Sequence, residues 1–338
     1  MANFKEKTIL ITGGTGSFGG YFVNYLLDKG FKEIRVFSRD EMKQEQMRQR
    51  LNNSRIKFYI GDIRDRASVD DAMIGVDYIF HAAALKQVPS CEFFPMQAMQ
   101  TNVIGSQNVI ASAIQNGVNR VVSLSTDKAV YPVNALGNTK ALMERMIQSK
   151  ARSIPDGKTI LTLVRYGNML FTRGSVIPIF MKQIREQRPL TLTAPEMSRF
   201  WLPLRETVEL VNFALENGEQ GDIFVRKAAS CTLGDIAEAL KKIFKSKSAI
   251  KIIGMRHGEK MHETLASKEE LARSEDMGDF LRLSMDTREL NYEKYLSEGK
   301  ERLVELQDYN SVNSRRMTIK EIEELLAGQP EIISALNS

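Results

Sequence analysis

Thr8-Ile9-Leu10-Ile11-Thr12 runs directly into Gly13-Gly14-Thr15-Gly16-Ser17-Phe18-Gly19-Gly20. Four of the first five residues are β-branched, the pattern of a strand. A helical pattern follows, with apolar positions at Phe22, Tyr25, Leu26 and Leu27. Glycines 13, 16 and 19 supply three things between a strand and a helix. They allow a tight turn, close approach of backbone to a pyrophosphate, and close packing of helix on strand. The helix N-terminus then offers free N–H groups and the positive end of its dipole to phosphate. Gly13, Thr15, Gly16, Ser17, Phe18 and Gly19 are therefore the candidate phosphate cradle of a dinucleotide. The stretch predicts an α/β protein with a doubly wound parallel sheet.

Outward from this loop, strands and helices alternate. A second strand, Ile34 to Ser38, ends in Ser38-Arg39-Asp40-Glu41, with Lys43 one turn later. A carboxylate at this strand end selects NAD through the ribose 2′-hydroxyl, whereas an arginine accommodates the 2′-phosphate of NADP. Ser38, Arg39 and Lys43 favour NADP; the alternative is that Asp40 takes the hydroxyl and Arg39 is only a surface residue. A third strand, Ile56 to Gly61, brings Asp62 and Ile63 to an adenine edge. A fourth, Tyr78 to Ala84, ends in Ala82, Ala83 and Ala84, small enough for close cofactor approach, and Lys86 follows. His81 reads as packed rather than catalytic. In the long helix from Pro95 to Asn116, Met96 and Met99 read as core.

Val121 to Leu124 is a further buried strand, and Ser125-Thr126-Asp127-Lys128-Ala129 follows it at once. A hydroxyl, a carboxylate and an ammonium thus stand together at the carboxyl end of a strand, where open α/β sheets bind ligands. Pro132 and Asn134 break the chain, a helix begins at Ala135, and Lys140 lies one turn inside it. Thr126, Asp127, Lys128 and Lys140 are the candidate catalytic residues. Asp127 and Lys128 can also be read as a plain ion pair, each holding the other charged.

After a sixth strand ending in Arg165-Tyr166-Gly167-Asn168, elements become shorter. Arg199 and Arg256 fall on loops of this region and suit a substrate diphosphate. Thr318-x-x-Glu321 is a capping box, and Ile319, Ile322, Leu325 and Leu326 form an apolar stripe closed by Gly328. That short helix must dock, on its own subunit or on a neighbour. The expected division is 1–172 for the cofactor, 173–290 for the substrate and 291–338 for the tail.

Across 338 residues, 43% are hydrophobic and 26% charged, the composition of an ordinary globular protein. Cys91 and Cys231 have no metal-type spacing, and no metal is expected. No apolar run reaches the roughly 20 residues of a membrane span. The charged N-terminus enters a strand without a signal peptide, so the expected location is the cytoplasm. The net charge is +5. The densest basic run, Lys241-Lys242-Ile243-Phe244-Lys245-Ser246-Lys247, fits a surface helix with its lysines outside, which does not call for nucleic acid. An anionic nucleotide sugar suits a basic protein equally well.

Taken together, these motifs resemble the extended short-chain dehydrogenase/reductase family. The resemblance is closest to the inverting UDP-N-acetylglucosamine 4,6-dehydratases of capsule and O-antigen biosynthesis. It runs through the glycine loop, Ala-Ala-Ala-Leu-Lys-Gln-Val-Pro at 82–89, Ser-Thr-Asp-Lys-Ala at 125–129 and Arg-Tyr-Gly-Asn at 165–168. It continues through Arg-Gly-Ser-Val at 173–176, Arg-x-Gly-Glu-Lys at 256–260 and Asp-Tyr-Asn-Ser at 308–311. The resemblance implies tightly bound NADP, recycled within each turnover, and a homo-oligomer, a hexamer. It implies substrate contacts from Lys86, Asn168, Arg173, Ser175, Arg199, Arg256 and Glu259, and cofactor contacts that include Lys86 and Lys140. It implies Lys128 as the base at carbon 5 and Asp127 as the acid at the carbon-6 hydroxyl. The wider family carries a tyrosine four residues before the lysine; here that position is Leu136, as in the capsule-type branch. The rivals are a UDP-hexose 4-epimerase and a catalytically silent, NADP-binding regulatory subunit.

Overall fold

The computed structural model describes residues 4–155, 158–172, 174–286 and 306–337. The first five-residue strand, β1 (Thr8–Thr12), is buried along its whole length. It lies inside a nine-stranded sheet. The remaining strands of the N-terminal half are β2 (Glu33–Ser38), β3 (Ile56–Ile60), β4 (Tyr78–His81), β5 (Arg120–Leu124) and β6 (Ile160–Arg165). Helices α1 (Ser17–Asp28), α2 (Glu41–Leu51) and α3 (Arg66–Met73) connect the first four of these. The spatial order β3-β2-β1-β4-β5-β6 reverses direction beside β1, and all these pairs are parallel. Such a reversal opens a crevice at the carboxyl ends of the strands. The doubly wound α/β fold expected from the glycine loop is the fold observed.

The connection from β4 to β5 is more broken than its sequence suggests. It comprises α4 (Val88–Phe93), α5 (Pro95–Met99), a π-helical stretch (Gln100–Gly105) and α6 (Ser106–Gln115). Asn102 in the π-helical stretch is fully buried and bonds both the N–H and C=O of Leu85 and the hydroxyl of Thr139. This fixes the chain just past β4. Met96 is 60% exposed, because α5 opens toward solvent beside exposed Phe93 and Phe94. The expectation of a core methionine fails there. His81 is buried, bonded at Nδ1 to Thr12 and at Nε2 to Ser106, and burial pulls it down to about 3. It is a neutral structural residue, as expected.

α7 (Ala135–Arg152) leads into β6, and the chain continues through β7 (Asn168–Met169), α8 (Val176–Arg185), β8 (Leu190–Leu192) and β9 (Ser198–Leu202). α9 (Leu204–Asn217) then returns it to the large sheet as β10 (Ile223–Arg226), parallel to β6. β11 (Ser230–Thr232), α10 (Leu233–Ile243), β12 (Ile250–Ile252), β13 (Thr264–Ala266) and α11 (Lys268–Leu271) follow. The hairpin β14 (Ser274–Met277) and β15 (Phe280–Leu283) completes the sheet edge. A second apolar core gathers Leu170, Ile177, Phe180, Trp201, Leu233, Ile236 and Leu240.

The tail docks on its own subunit. Its strand β16 (Tyr309–Asn310) pairs antiparallel with β13. Thr318 and Glu321 form the expected capping box of helix Ile319–Ala327, whose Ile322 and Leu326 are fully buried in the second core. A last helix, Pro330–Leu336, adds Ile332 to that core. No described helix is long and apolar enough to cross a membrane.

Candidate active site

The crevice at the chain reversal is a cavity of about 340 Å³. Every cofactor residue expected from the sequence except Lys140 lines it: Gly13, Thr15, Gly16, Ser17, Phe18, Gly19, Ser38, Arg39, Lys43, Asp62, Ile63, Ala82, Ala83, Ala84 and Lys86. Gly13 has φ +70°, and a Cβ there would come within 2.9 Å of the Ala83 backbone. A Cβ on Gly19 would come within 2.6 Å of Gly14 Cα. The loop is therefore pressed onto both the β4 end and its own helix, leaving the backbone bare toward the cavity. The Thr101 hydroxyl, on the same wall, is buried without a hydrogen-bond partner among the described residues.

At the β2 end, Asp40 is used as the cap of α2. Its side chain accepts from Lys43 N–H at 3.0 Å and is paired with the Lys43 ammonium. Arg39 reaches Asp62 Oδ2 at 3.3 Å, with about half its side chain exposed. Asp62 is otherwise held by Arg64. Lys86 stands exposed at the rim, and partial desolvation lowers its pKa.

A second cavity, about 120 Å³, is lined by Asn168, Arg199, Arg256 and Glu259, among others. Four of the seven expected substrate residues thus meet in one place. Lys86 lines the first cavity, Ser175 caps α8 with its hydroxyl unpartnered, and Arg173 lies outside the described residues. β7 is the partition: Asn168 lines the second cavity, Met169 the first. Neighbouring strand residues face opposite ways, which explains the division. Arg199 is not free for a ligand on all sides. Its guanidinium donates to the carbonyls of Ser198 at 2.7 Å, Lys260 at 2.8 Å and Met261 at 3.1 Å.

Past Leu124, which lines the first cavity, the β5 end turns into a short 3₁₀ segment, Asp127–Ala129, capped by Thr126; Thr126, Asp127 and Lys128 themselves line neither cavity. Asp127 is fully buried; its Oδ1 accepts from Thr126 Oγ1 at 2.9 Å and from Lys128 Nζ at 3.0 Å. The sequence reading leaves Glu263 unassigned, yet its Oε1 lies 3.4 Å from Lys128 Nζ. Lys260 Nζ is 3.2 Å from the other Glu263 oxygen, and Arg199 Nε is 3.9 Å from Oε1. Burial raises Asp127 above the usual carboxylate value, and Glu263 adds to this against the pull of Lys128. Burial works against the Lys128 ammonium, but Asp127 and Glu263 outweigh it and hold it above an ordinary lysine. Burial of Glu263 is outweighed by Lys128, Arg199 and Lys260, which keep it low. No spacing motif could have found Glu263; only Arg-x-Gly-Glu-Lys at 256–260 marked its neighbourhood.

The segment carrying Glu263 is strapped across the turn. Lys260 Nζ donates to Val130 C=O at 2.7 Å, and Asn134, which caps α7 through Gly137 N–H, also donates to Gly258 C=O at 2.7 Å. Lys140 is buried one layer behind the cofactor cavity, donating to Leu124 C=O at 2.7 Å. Burial pulls it down to about 8, with Glu144 opposing. Leu136 is buried in an apolar cluster with Cys91 and Ala98.

A Cβ on Gly137 would fall 2.3 Å from the Lys128 carbonyl oxygen and 3.0 Å from Pro132 Cβ. Gly137→Ala should therefore push the 126–130 turn off its position. A displacement near 1 Å costs about 100-fold in rate. We expect turnover to fall by that order while titration of a nicotinamide dinucleotide gives an unchanged affinity, since Gly137 does not line the first cavity.

Residues 9–285 match the family described as polysaccharide biosynthesis protein, and residues 286–332 match polysaccharide biosynthesis protein C-terminal. The chain belongs to the polysaccharide biosynthesis protein family. Among relatives of this family member, a UDP-glucose 4-epimerase of Rickettsia typhi is 54% identical over 327 residues, 96% of either chain. A protein of the same name from Rickettsia felis is 53% identical over the same length and coverage. The X-ray structure of Pen from Bacillus thuringiensis superposes with a TM-score of 0.88 at 35% identity, covering 97% of this chain and all of that one. A dTDP-glucose 4,6-dehydratase, DesIV from Streptomyces venezuelae, shares the fold at TM-score 0.70 and 23% identity, over 75% of this chain and 86% of that one. The polysaccharide biosynthesis family thus has the extended short-chain dehydrogenase/reductase fold here.

Proposed function

We propose that the chain dehydrates UDP-N-acetylglucosamine across carbons 4, 5 and 6 with inversion at carbon 5, yielding a UDP-4-keto-6-deoxy-L-arabino-hexosulose. The observation that carries this reading is the part-buried Asp127–Lys128 contact, an acid and a base 3.0 Å apart just past the β5 end. Residues 1–172 would hold NADP and residues 173–290 the nucleotide sugar. Asn168, Arg173, Ser175, Arg199, Arg256 and Glu259 would be on the sugar-nucleotide side.

The chemistry a bound nicotinamide supplies is acceptance of hydride from carbon 4 and its return to carbon 6. The glycine loop would hold the pyrophosphate and Asp62 and Ile63 the adenine side. Ser38, Arg39 and Lys43 would meet a 2′-phosphate, and the use of Asp40 as a helix cap supports NADP over NAD. A ketone at carbon 4 acidifies the proton on carbon 5. Transfer of one proton from Lys128 Nζ to Asp127 Oδ1 makes an amine and a carboxylic acid together. The amine takes the carbon-5 proton, the acid gives its proton to the departing carbon-6 hydroxyl, and the ion pair is restored; a solvent proton then reaches carbon 5 from the opposite face as carbon 6 is reduced, which inverts carbon 5. Leu136 can move no proton, so Thr126 and Lys140 are assigned the relay from the carbon-4 hydroxyl, through water if needed.

The second reading is a 4-epimerase, favoured by the printed names of the Rickettsia relatives. Epimerisation needs oxidation at carbon 4 but no acid–base pair for elimination, so it leaves Asp127 and Lys128 without a task. In deuterated water, the dehydratase reading expects product carrying deuterium at carbon 5, seen by proton NMR; an epimerase leaves carbon 5 fully protonated. A homo-oligomer, a hexamer by resemblance, is supported by exposed Phe93, Phe94 and Met96.

Cofactor choice has its own test. Arg39→Ala should weaken NADP binding about 10- to 100-fold, the worth of one hydrogen bond to a charged group. NAD, lacking the 2′-phosphate, should bind nearly as before. Equal losses in a fluorescence titration of both cofactors would refute the assignment.

A further inference from the structure

Glu263 lines neither cavity, yet its carboxylate is 3% exposed and faces Lys128 across 3.4 Å. Resting on the acid–base reading of Asp127 and Lys128, we propose that Glu263 is a positioning residue that keeps the pair's one mobile proton within the pair at neutral pH.

The backbone that carries the carboxylate is fixed on both sides. Glu263 N–H donates to Ser311 Oγ at 3.0 Å, Ser311 N–H donates to Glu263 C=O at 2.8 Å, and the chain enters β13 at the next residue. Ser311 is itself fixed by Ser198 Oγ at 2.7 Å, which also meets His262 Nδ1 at 2.8 Å. The tail strand β16, paired with β13, thus holds a group that acts at the β5 end.

The charges around it decide its effect. Lys128 faces Asp127 from its own turn, Glu263 from the strap and Arg199 from β9. Asp127 faces Lys128, Thr126 and Glu263. Glu263 faces Lys128, Arg199 and Lys260. If Glu263 were neutral, burial and the repulsion of Arg199 would both favour loss of the Lys128 proton to solvent. The pair would then be an amine beside a carboxylate, with a base but no acid for the carbon-6 hydroxyl. With Glu263 ionised, that loss would leave two carboxylates against an uncharged amine. The proton stays, on nitrogen or oxygen, and can cross between them when carbon 5 is attacked. Arg199 and Lys260 keep Glu263 itself ionised.

The test uses the full chain without substrate. Lys128 is acylated by acetic anhydride across a pH series, and its modification is read by mass spectrometry of the digested protein against exposed Lys320. In the wild type, the Lys128 midpoint should lie above that of Lys320. Glu263→Gln should move it down by about one pH unit or more, the effect of one close charge, and Glu263→Asp should restore most of the shift. The alkaline limb of kcat for water loss should move with it, and KM should change less than kcat. An unmoved midpoint in Glu263→Gln overturns the proposal. If that variant does not fold, a wild-type Lys128 midpoint at or below that of Lys320 overturns it equally. A shifted midpoint in a protein that never removes water from the sugar would uphold the charge role and sink the dehydratase reading alone.

Discussion

Lys128→Ala is expected to lose about 100- to 10,000-fold in the rate of water loss, the usual contribution of a positioned acid or base. Two effects combine in this residue. Its amine is the group assigned to the carbon-5 proton, and its ammonium is the source of the proton that makes Asp127 an acid. Removing it also leaves Asp127 and Glu263 buried with one cation fewer, so Asp127 takes up a proton from solvent but nothing takes one from carbon 5. Oxidation at carbon 4 belongs to other groups and should survive. Added UDP-N-acetylglucosamine should therefore give a bound NADPH absorbance with little product and no deuterium at carbon 5. Lys140→Ala should do the reverse and lose the absorbance, because the relay at carbon 4 fails first. Normal carbon-5 exchange in Lys128→Ala would show that another group is the base.

Arg165→Met should be the most destabilising single change. Arg165 is 2% exposed, and its guanidinium bridges two buried carboxylates, Glu144 at 2.6 Å and Glu270 at 2.8 Å. It ties β6 to α7 and to the capping box of α11. Glu144 also accepts from Ser125, the residue just before the turn that carries Asp127 and Lys128. Removing one partner of a buried pair costs about 3–5 kcal/mol, since the remaining charges are uncompensated. That is a large share of the roughly 5–15 kcal/mol that a domain has. The pH dependence follows from Glu270: burial would raise it, but the bonds and charge of Arg165 outweigh this and hold it below the usual value. A lowered carboxylate stabilises the fold above its unfolded pKa and stops doing so as pH falls through the folded value. In Arg165→Met that carboxyl is raised instead, so acid neutralises it and relieves the variant. The gap in thermal midpoint between wild type and variant should therefore be widest near neutral pH and narrow toward acid. A gap that widened on acidification would contradict this account of the triad.

Most of the cofactor wall was legible because its residues are local to strand ends, and a strand end can be found from periodicity and glycine spacing. The same holds for Thr318 as a helix cap, where a side chain meets a backbone three residues away. What escaped depends on distance in the chain. Glu263 meets Lys128 only because β13 and β16 bring the strap over the β5 end, and nothing at either position announces the other. Lys140 was expected on the cavity wall, but the first turn of α7 is pressed so closely at Gly137 that the lysine goes behind Leu124. The π-helical stretch has no local signature either; it follows from Asn102 bonding the Leu85 backbone. The apolar stripe of the tail helix could be read, whereas its resting place on α10 could not.

The most direct test of the central claim is the mass of the product. Purified full-length protein is incubated separately with UDP-N-acetylglucosamine and with UDP-glucose, and the nucleotide sugars are analysed by mass spectrometry. The account predicts that UDP-N-acetylglucosamine is converted to a species lighter by one water, without added cofactor if NADP stays bound. Conversion of either sugar to a product of unchanged mass and altered carbon-4 stereochemistry, with no water lost, would contradict it.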